Sequence, residues 1–182
     1  MLFAVKKLKT MNEKLSMHDL GRLSSDEFKA SEKNKIILVL DNIRSLNNVG
    51  SAFRTADAFL IEAIYLCGVT GTPPKAEIEK TALGATETVS WKYFKTTQEA
   101  INELKSNNYY IASIEQAKDS IMLNQFQKPD SPIALVFGNE VYGVEQEIIN
   151  QSDSCIEIPQ FGTKHSFNVS VSMGIVLWEM LR

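Results

Sequence analysis

The first regular pattern along the chain is Ser24-x-x-Glu27, a capping-box spacing that predicts a short helix over residues 24–30. At 36–40 the apolar residues run without a break (IILVL), as in a strand covered on both faces. Over 49–60 the period lengthens. Val49, Ala52, Phe53, Ala56, Phe59 and Leu60 share one helical face. Strand-like runs recur at 64–67, 89–94, 109–114, 133–137 and 155–158, the last stopped by Pro159. Helical segments fall between them at 76–83, 96–105 (Thr96-x-x-Glu99 caps it) and 144–150, and from Asn168 to the end. Six strands alternating with helices predict a three-layer α/β domain on a mostly parallel sheet. The chain divides into a partly helical N-terminal extension, 1–35, and one domain, 36–182, without an internal linker.

The last helix breaks the pattern. In NVSVSMGIVLWEMLR the apolar residues surround the axis instead of forming a stripe. A helix that is apolar on nearly all sides is buried on most of them. The expectation is packing on its own sheet and also against a second copy of the chain, a homodimer. The small Ser170, Ser172 and Gly174 would let neighbouring backbone approach.

Composition narrows the class. The 182 residues and 20.4 kDa suit a single domain with a good core. No run of about 18 apolar residues occurs, and the N-terminal apolar run is too short for a secretory signal. A cytoplasmic protein with no membrane partner is expected. Cys67 and Cys155 read as free thiols, and with two histidines and no close Cys/His pair no metal site is expected. A net charge of −3 does not mark a general nucleic-acid binder. Lys6, Lys7, Lys9 and Lys14 nevertheless gather around a single acid, Glu13. They form either a solvated arm or one that contacts phosphates.

Ligands of open parallel sheets sit beyond the carboxyl ends of strands, and three strand ends here carry unusual loops. In LDNIRSLNNVGSAFRTADAF, Asn48 stands where a helix N-cap belongs, and Arg54 leans back over Gly50, which has no side chain to block it. The alternative is a solvated Arg54 paired with Asp57. In LVFGNEVYGV, Gly138 is either a turn residue or a point where a ligand meets the backbone, and the carboxylate of Glu140 follows. In IPQFGTKHSFNVSVS, a polar loop ends in a Ser/Asn cap. Each alone is ordinary turn chemistry. All three together, in order, point to one site.

The ordered set N-x-G-x(3)-R, F-G-N-E-x-x-G and I-P-x-x-G-x-x-x-S-F-N-V-S-V resembles the SpoU (TrmH-type) branch of the SPOUT RNA methyltransferases, over about residues 36 to 182. The stretch KTALGATETVSW is also similar to that family. The resemblance implies an α/β fold with a deep C-terminal trefoil knot, S-adenosyl-L-methionine as cofactor, an obligate homodimer, and methylation of a ribose 2′-OH in structured RNA. Carried over by position, it implies a catalytic set of Arg54, Asn48, Glu140, Ser166 and Asn168. Cofactor contacts are implied at Gly138, Ile158 and Phe167, and at Ser113 in the same pocket. Phe167 replaces the usual leucine, and Leu46 stands near a common proline. The methyl group arrives already activated by a sulfonium, so the protein must align the 2′-oxygen and stabilise its charge, with no metal required. A base role has been proposed for the family's arginine. A guanidinium keeps its proton, so a clamp on phosphate or oxyanion is the simpler role for Arg54. In the family the arginine can serve the partner protomer's site.

The chain leaves no room for the separate RNA-binding domain of several rRNA-directed relatives, which favours tRNA, with a D-loop guanosine as target. The competing readings are the same chemistry on rRNA or at the tRNA wobble position, and a non-catalytic RNA-binding factor on the same fold. The intact polar set argues against the factor. A dinucleotide enzyme would need G-x-G-x-x-G after the first strand, which NNVGSAF does not supply.

Overall fold

In the computed structural model, residues 14–16 and 19–182 are described. Lys6, Lys7, Lys9 and Glu13 of the basic cluster lie outside the described residues, whereas Lys14 is among them and exposed. The capping box at Ser24 and Glu27 forms and starts α1 (Ser25–Ala30), whose Phe28 is buried in the main core.

The continuous apolar run becomes β1 (Asn34–Asp41), near the centre of a seven-stranded sheet. The other strands are β2 (Ile61–Cys67), β3 (Ser90–Phe94), β4 (Tyr110–Ile114), β5 (Ile121–Met122), β6 (Ile133–Phe137) and β7 (Ser154–Glu157). Their order is β3-β2-β1-β6-β4-β7-β5, and every pairing is parallel. Alternation along β1 divides the core. Ile36, Leu38 and Leu40 face one side, with α2 (Leu46–Ala58), α3 (Ala76–Ala82) and α6 (Val169–Leu181). Ile37 and Val39 face the other, with α4 (Thr97–Ser106) and α5 (Gln146–Gln151). The result is the expected three layers. No helix among the described residues is long and apolar enough to cross a membrane. Cys67 is buried and Cys155 half-buried, both as free thiols.

Two expectations need correction. The sheet has seven strands, not six, because the two-residue β5 pairs with β7 at the edge. Helix α2 starts earlier than expected. Ser45 is its N-cap and accepts the Asn48 N–H at 3.3 Å, which places Asn48 inside the first turn, almost buried. Within the chain, α6 is covered on one side only. Val169, Met173, Val176, Leu177 and Met180 are buried, but Val171 is 48% and Trp178 65% exposed.

Candidate functional site

The loops after β1, β6 and β7 meet at the carboxyl edge of the sheet. After β6 the chain folds back tightly, and Asn139 and Gly143 exchange backbone hydrogen bonds at 2.9 Å in each direction. This turn explains Gly138. A Cβ there would run into the backbone of Gly143 and Val144. The glycine is required by the turn itself, not only by an approaching ligand.

The turn aims Glu140 at the loop before α2. One carboxylate oxygen accepts the N–H of Arg44 at 3.1 Å. The other accepts the N–H of Ser45 at 3.1 Å and the side-chain amide of Asn48 at 3.0 Å. Burial works to raise the Glu140 pKa. The N–H groups of Arg44, Glu140 itself and Ser45, with the Asn48 amide, outweigh it and hold the carboxyl below the usual carboxylate range. From the third loop, Asn168 donates its Nδ2 to Oδ1 of Asn48 at 3.2 Å. Its own Oδ1 accepts the N–H of Ser170 at 2.9 Å, capping α6. A chain of donors and acceptors, Asn168 to Asn48 to Glu140, thus ties together three loops that are far apart in sequence.

Beside this chain lies a cavity of about 570 Å³. Ile114, Phe137, Ile156, Ile158 and Phe167 give it apolar walls, and the Gly138–Gly143 turn, Ser166 and Asn168 line its polar side. Six of the nine expected site residues therefore line one cavity: Gly138, Glu140, Ile158, Ser166, Phe167 and Asn168. Asn48 is bonded to two of them.

Two expected residues stand apart. Ser113 is fully buried and shares a hydrogen bond of 2.7 Å with the hydroxyl of Ser152. Neighbouring strand residues face opposite ways, so it is Ile114 that reaches the cavity. Arg54 does not line the cavity. It is exposed on α2 and has no hydrogen-bond or ion-pair partner among the described residues. The pairing with Asp57 is not formed, since Asp57 accepts from Thr88 at 2.6 Å. Gly50 has a different task from clearing space for Arg54. A Cβ there would strike the Thr81 hydroxyl and the carbonyl of Ile78, so Gly50 sets the close approach of α2 and α3.

Two polar residues of the cavity went unforeseen. Glu115 accepts the N–H of Val144 at 3.0 Å, which braces the β6 turn. Gln116 donates to the carbonyl of His165 at 2.6 Å, which braces the third loop. Both directly follow β4, and that position beyond a strand's carboxyl end was the available signal.

The model of the SpoU rRNA Methylase family matches residues 35–178. An uncharacterised tRNA/rRNA methyltransferase of Borreliella burgdorferi is 35% identical over 96% of this chain and 75% of its own. A 23S rRNA (guanosine-2′-O-)-methyltransferase of Neisseria meningitidis is 35% identical over 81% of this chain, which spans only 58% of that relative. Among solved structures, the TrmH/SpoU tRNA modifying enzyme of A. aeolicus is 29% identical with a TM-score of 0.74, covering 84% of this chain and 77% of that one. An AdoMet-bound rRNA methyltransferase of Sinorhizobium meliloti shares the fold, with a TM-score of 0.77 at 24% identity over 84% of this chain and 59% of its own.

Proposed function

The chain belongs to the SpoU methylase family, and on that premise we propose that it is an S-adenosylmethionine-dependent methyltransferase acting on a ribose 2′-oxygen of RNA. The observation that carries the reading is the hydrogen-bonded chain of Asn168, Asn48 and Glu140 at the lip of the cavity. The cavity suits the cofactor: flat apolar walls for an adenine ring, and a rim of backbone and side-chain polar groups for its ribose and amino-acid ends. Gly138, Ile158 and Phe167 would hold it. Phe167 presents a larger apolar face than the leucine usual in the family. When bound, S-adenosylmethionine supplies a methyl group activated by its sulfonium.

The residues of this chain supply position and charge. Asn48 and Asn168 fix Glu140, and with Ser166 they orient the acceptor ribose. Holding reactants in line can contribute about 7–11 kcal/mol to the barrier reduction. Arg54 would stabilise the 2′-oxygen as its proton passes to solvent water and the oxygen takes the methyl group, or would grip the adjoining phosphate. Because Arg54 stands outside the cavity of its own chain, it is assigned to the partner's cavity in a homodimer. The exposed Val171 and Trp178 on α6, with an open space beside Gly174, support such a dimer. The C-terminal trefoil knot belongs to the same proposal. It is supported by the insertion of β7 between β4 and β5 and by the return of the chain to pack α6 on α2.

Guanosine is the proposed acceptor, in line with the name of the Neisseria relative. That name favours rRNA, whereas the A. aeolicus enzyme favours tRNA, where the D-loop is the expected location. Mapping 2′-O-methyl sites in RNA from cells with and without the gene decides between them. One site should vanish in the deletion strain and return on complementation. An unchanged map would overturn the proposal.

A further inference from the structure

The turn after β6 holds two apolar side chains in water. Val141 is 69% and Tyr142 84% exposed. The turn is nevertheless rigid. Besides the paired backbone bonds of Asn139 and Gly143, the Asn139 side chain accepts the N–H groups of Val141 and Tyr142, at 2.9 and 3.2 Å. Its amide also ties the turn to the carbonyl of Asn42 at 2.7 Å. A braced tyrosine facing solvent adds nothing to the core, and it is preorganised to meet a flat apolar partner.

Tyr142 stands on the wall between the cavity described above and a second hollow of about 620 Å³. Across that hollow is Val69, 68% exposed. At its rim is Arg44, exposed, with no side-chain partner among the described residues. The Arg44 backbone N–H is held by Glu140, so the base of this side chain sits beside the candidate catalytic carboxylate. The buried Asp41 and the exposed Glu145 also line the hollow. They repel a phosphate from the interior and leave Arg44 as the place for it.

We propose that Tyr142, Val69 and Arg44 form a subsite for one unpaired nucleotide of the RNA substrate. Its base stacks on the Tyr142 ring opposite Val69, and its phosphate pairs with Arg44. This subsite rests on the reading of the chain as an RNA methyltransferase and extends it, because it names single-stranded RNA beside the methyl acceptor as what the enzyme grips.

The test is fluorescence anisotropy with a fluorescein-labelled decaribonucleotide and with the same strand annealed to its complement. Tyr142→Ala should weaken single-strand binding by about 5- to 150-fold and leave duplex binding unchanged. Tyr142→Phe should rescue it, because the ring stacks and the hydroxyl does not. Arg44→Ala should weaken single-strand binding and reduce the log–log salt slope by about 0.7. Calorimetry with S-adenosylmethionine is run on both alanine variants, and Arg44→Ala, whose residue borders only the second hollow, should keep the wild-type affinity. Undiminished RNA binding by Tyr142→Ala overturns the subsite alone. A loss of cofactor affinity in that variant assigns the ring to the cofactor wall instead. A change in its mass by light scattering assigns the ring to a subunit interface. Wild-type protein that binds neither RNA overturns the RNA reading together with the subsite.

Discussion

Replacing Asn48 by aspartate preserves the shape of the side chain and reverses its chemistry. The Nδ2 of Asn48 donates to Glu140 at 3.0 Å, and Asn48→Asp puts an oxygen there. Two carboxylates that close repel by about 1.4 kcal/mol at the dielectric of water and about 5.5 kcal/mol at an effective dielectric of 20. Asn48 is almost buried while Glu140 is exposed, so screening places the repulsion between these limits. Proton uptake sets a ceiling on the whole effect, because a protonated Asp can donate to Glu140 as Asn48 does. At pH 7, protonating an Asp carboxyl with an ordinary pKa near 3.9 costs about 4.2 kcal/mol. The expected destabilisation is therefore about 2–4 kcal/mol at pH 7, falling to about 1.5 kcal/mol at pH 5. The sign follows from linkage. The mutant pair takes up its proton at higher pH when folded than when unfolded, so acid favours its folded state. In the wild type the Glu140 pKa is lowered. Its contribution is complete above the ordinary carboxylate pKa and is lost only as the pH falls through the lower folded value. The narrowing between pH 7 and pH 5 thus belongs to the mutant. Urea unfolding of both proteins at pH 7, 6 and 5 measures it. A loss below about 0.5 kcal/mol, within the range of ordinary surface changes, or one equally large at pH 5, would refute the assigned role of Asn48.

Three further outcomes are expected. Gly50→Ala should lower the melting temperature, since overpacking against Thr81 and Ile78 costs about 1–3 kcal/mol and outweighs the helix-propensity gain of about 1 kcal/mol. A higher melting temperature would show that α2 and α3 separate freely. Arg54→Ala should slow single-turnover methyl transfer by about 10² to 10³ while cofactor affinity by calorimetry holds, and Arg54→Lys should rescue it poorly. Near-normal turnover would reduce Arg54 to a surface residue. Trp178→Glu should convert a dimer of 20.4 kDa chains to monomer by light scattering while the chain stays folded by circular dichroism, because Trp178 is 65% exposed. An unchanged mass would remove the outer face of α6 from the interface. Met180 would be a poor choice for this test, as it is buried in the core.

The parallel sheet was legible because its central strands, β1 and β6, carry continuous apolar runs and capping signals mark the helices between strands. β5 was not, since two residues carry no periodicity. The start of α2 was misplaced because Ser45 and Asn48 are both good caps three residues apart. Asn48 is not the cap: its Oδ1, the atom a cap would use, accepts from Asn168, 120 residues away, while Glu140 holds its amide nitrogen. The motif glycines were visible, but their reasons were not. Gly50 is set by Thr81 and Gly138 by Gly143, contacts that a linear pattern does not contain. Ser113 was expected at the pocket, whereas the cavity is lined by its neighbour Ile114, and period-two alternation puts one strand position on the opposite face of the sheet. The apolar residues around α6 were legible in the sequence, but within one chain its outer face stays open at Val171 and Trp178.

The most direct test of the account is methyl transfer itself. Purified protein is incubated with S-adenosylmethionine labelled in its methyl group and with total RNA from a strain lacking the gene, and the RNA is then digested to nucleosides. The label should appear in a single 2′-O-methylated nucleoside, with guanosine the expected one, and should be lost with Arg54→Ala. Label on a base, or no label in RNA that the wild-type protein binds, would contradict the assignment of Asn48, Arg54, Glu140, Ser166 and Asn168 to ribose 2′-O-methylation.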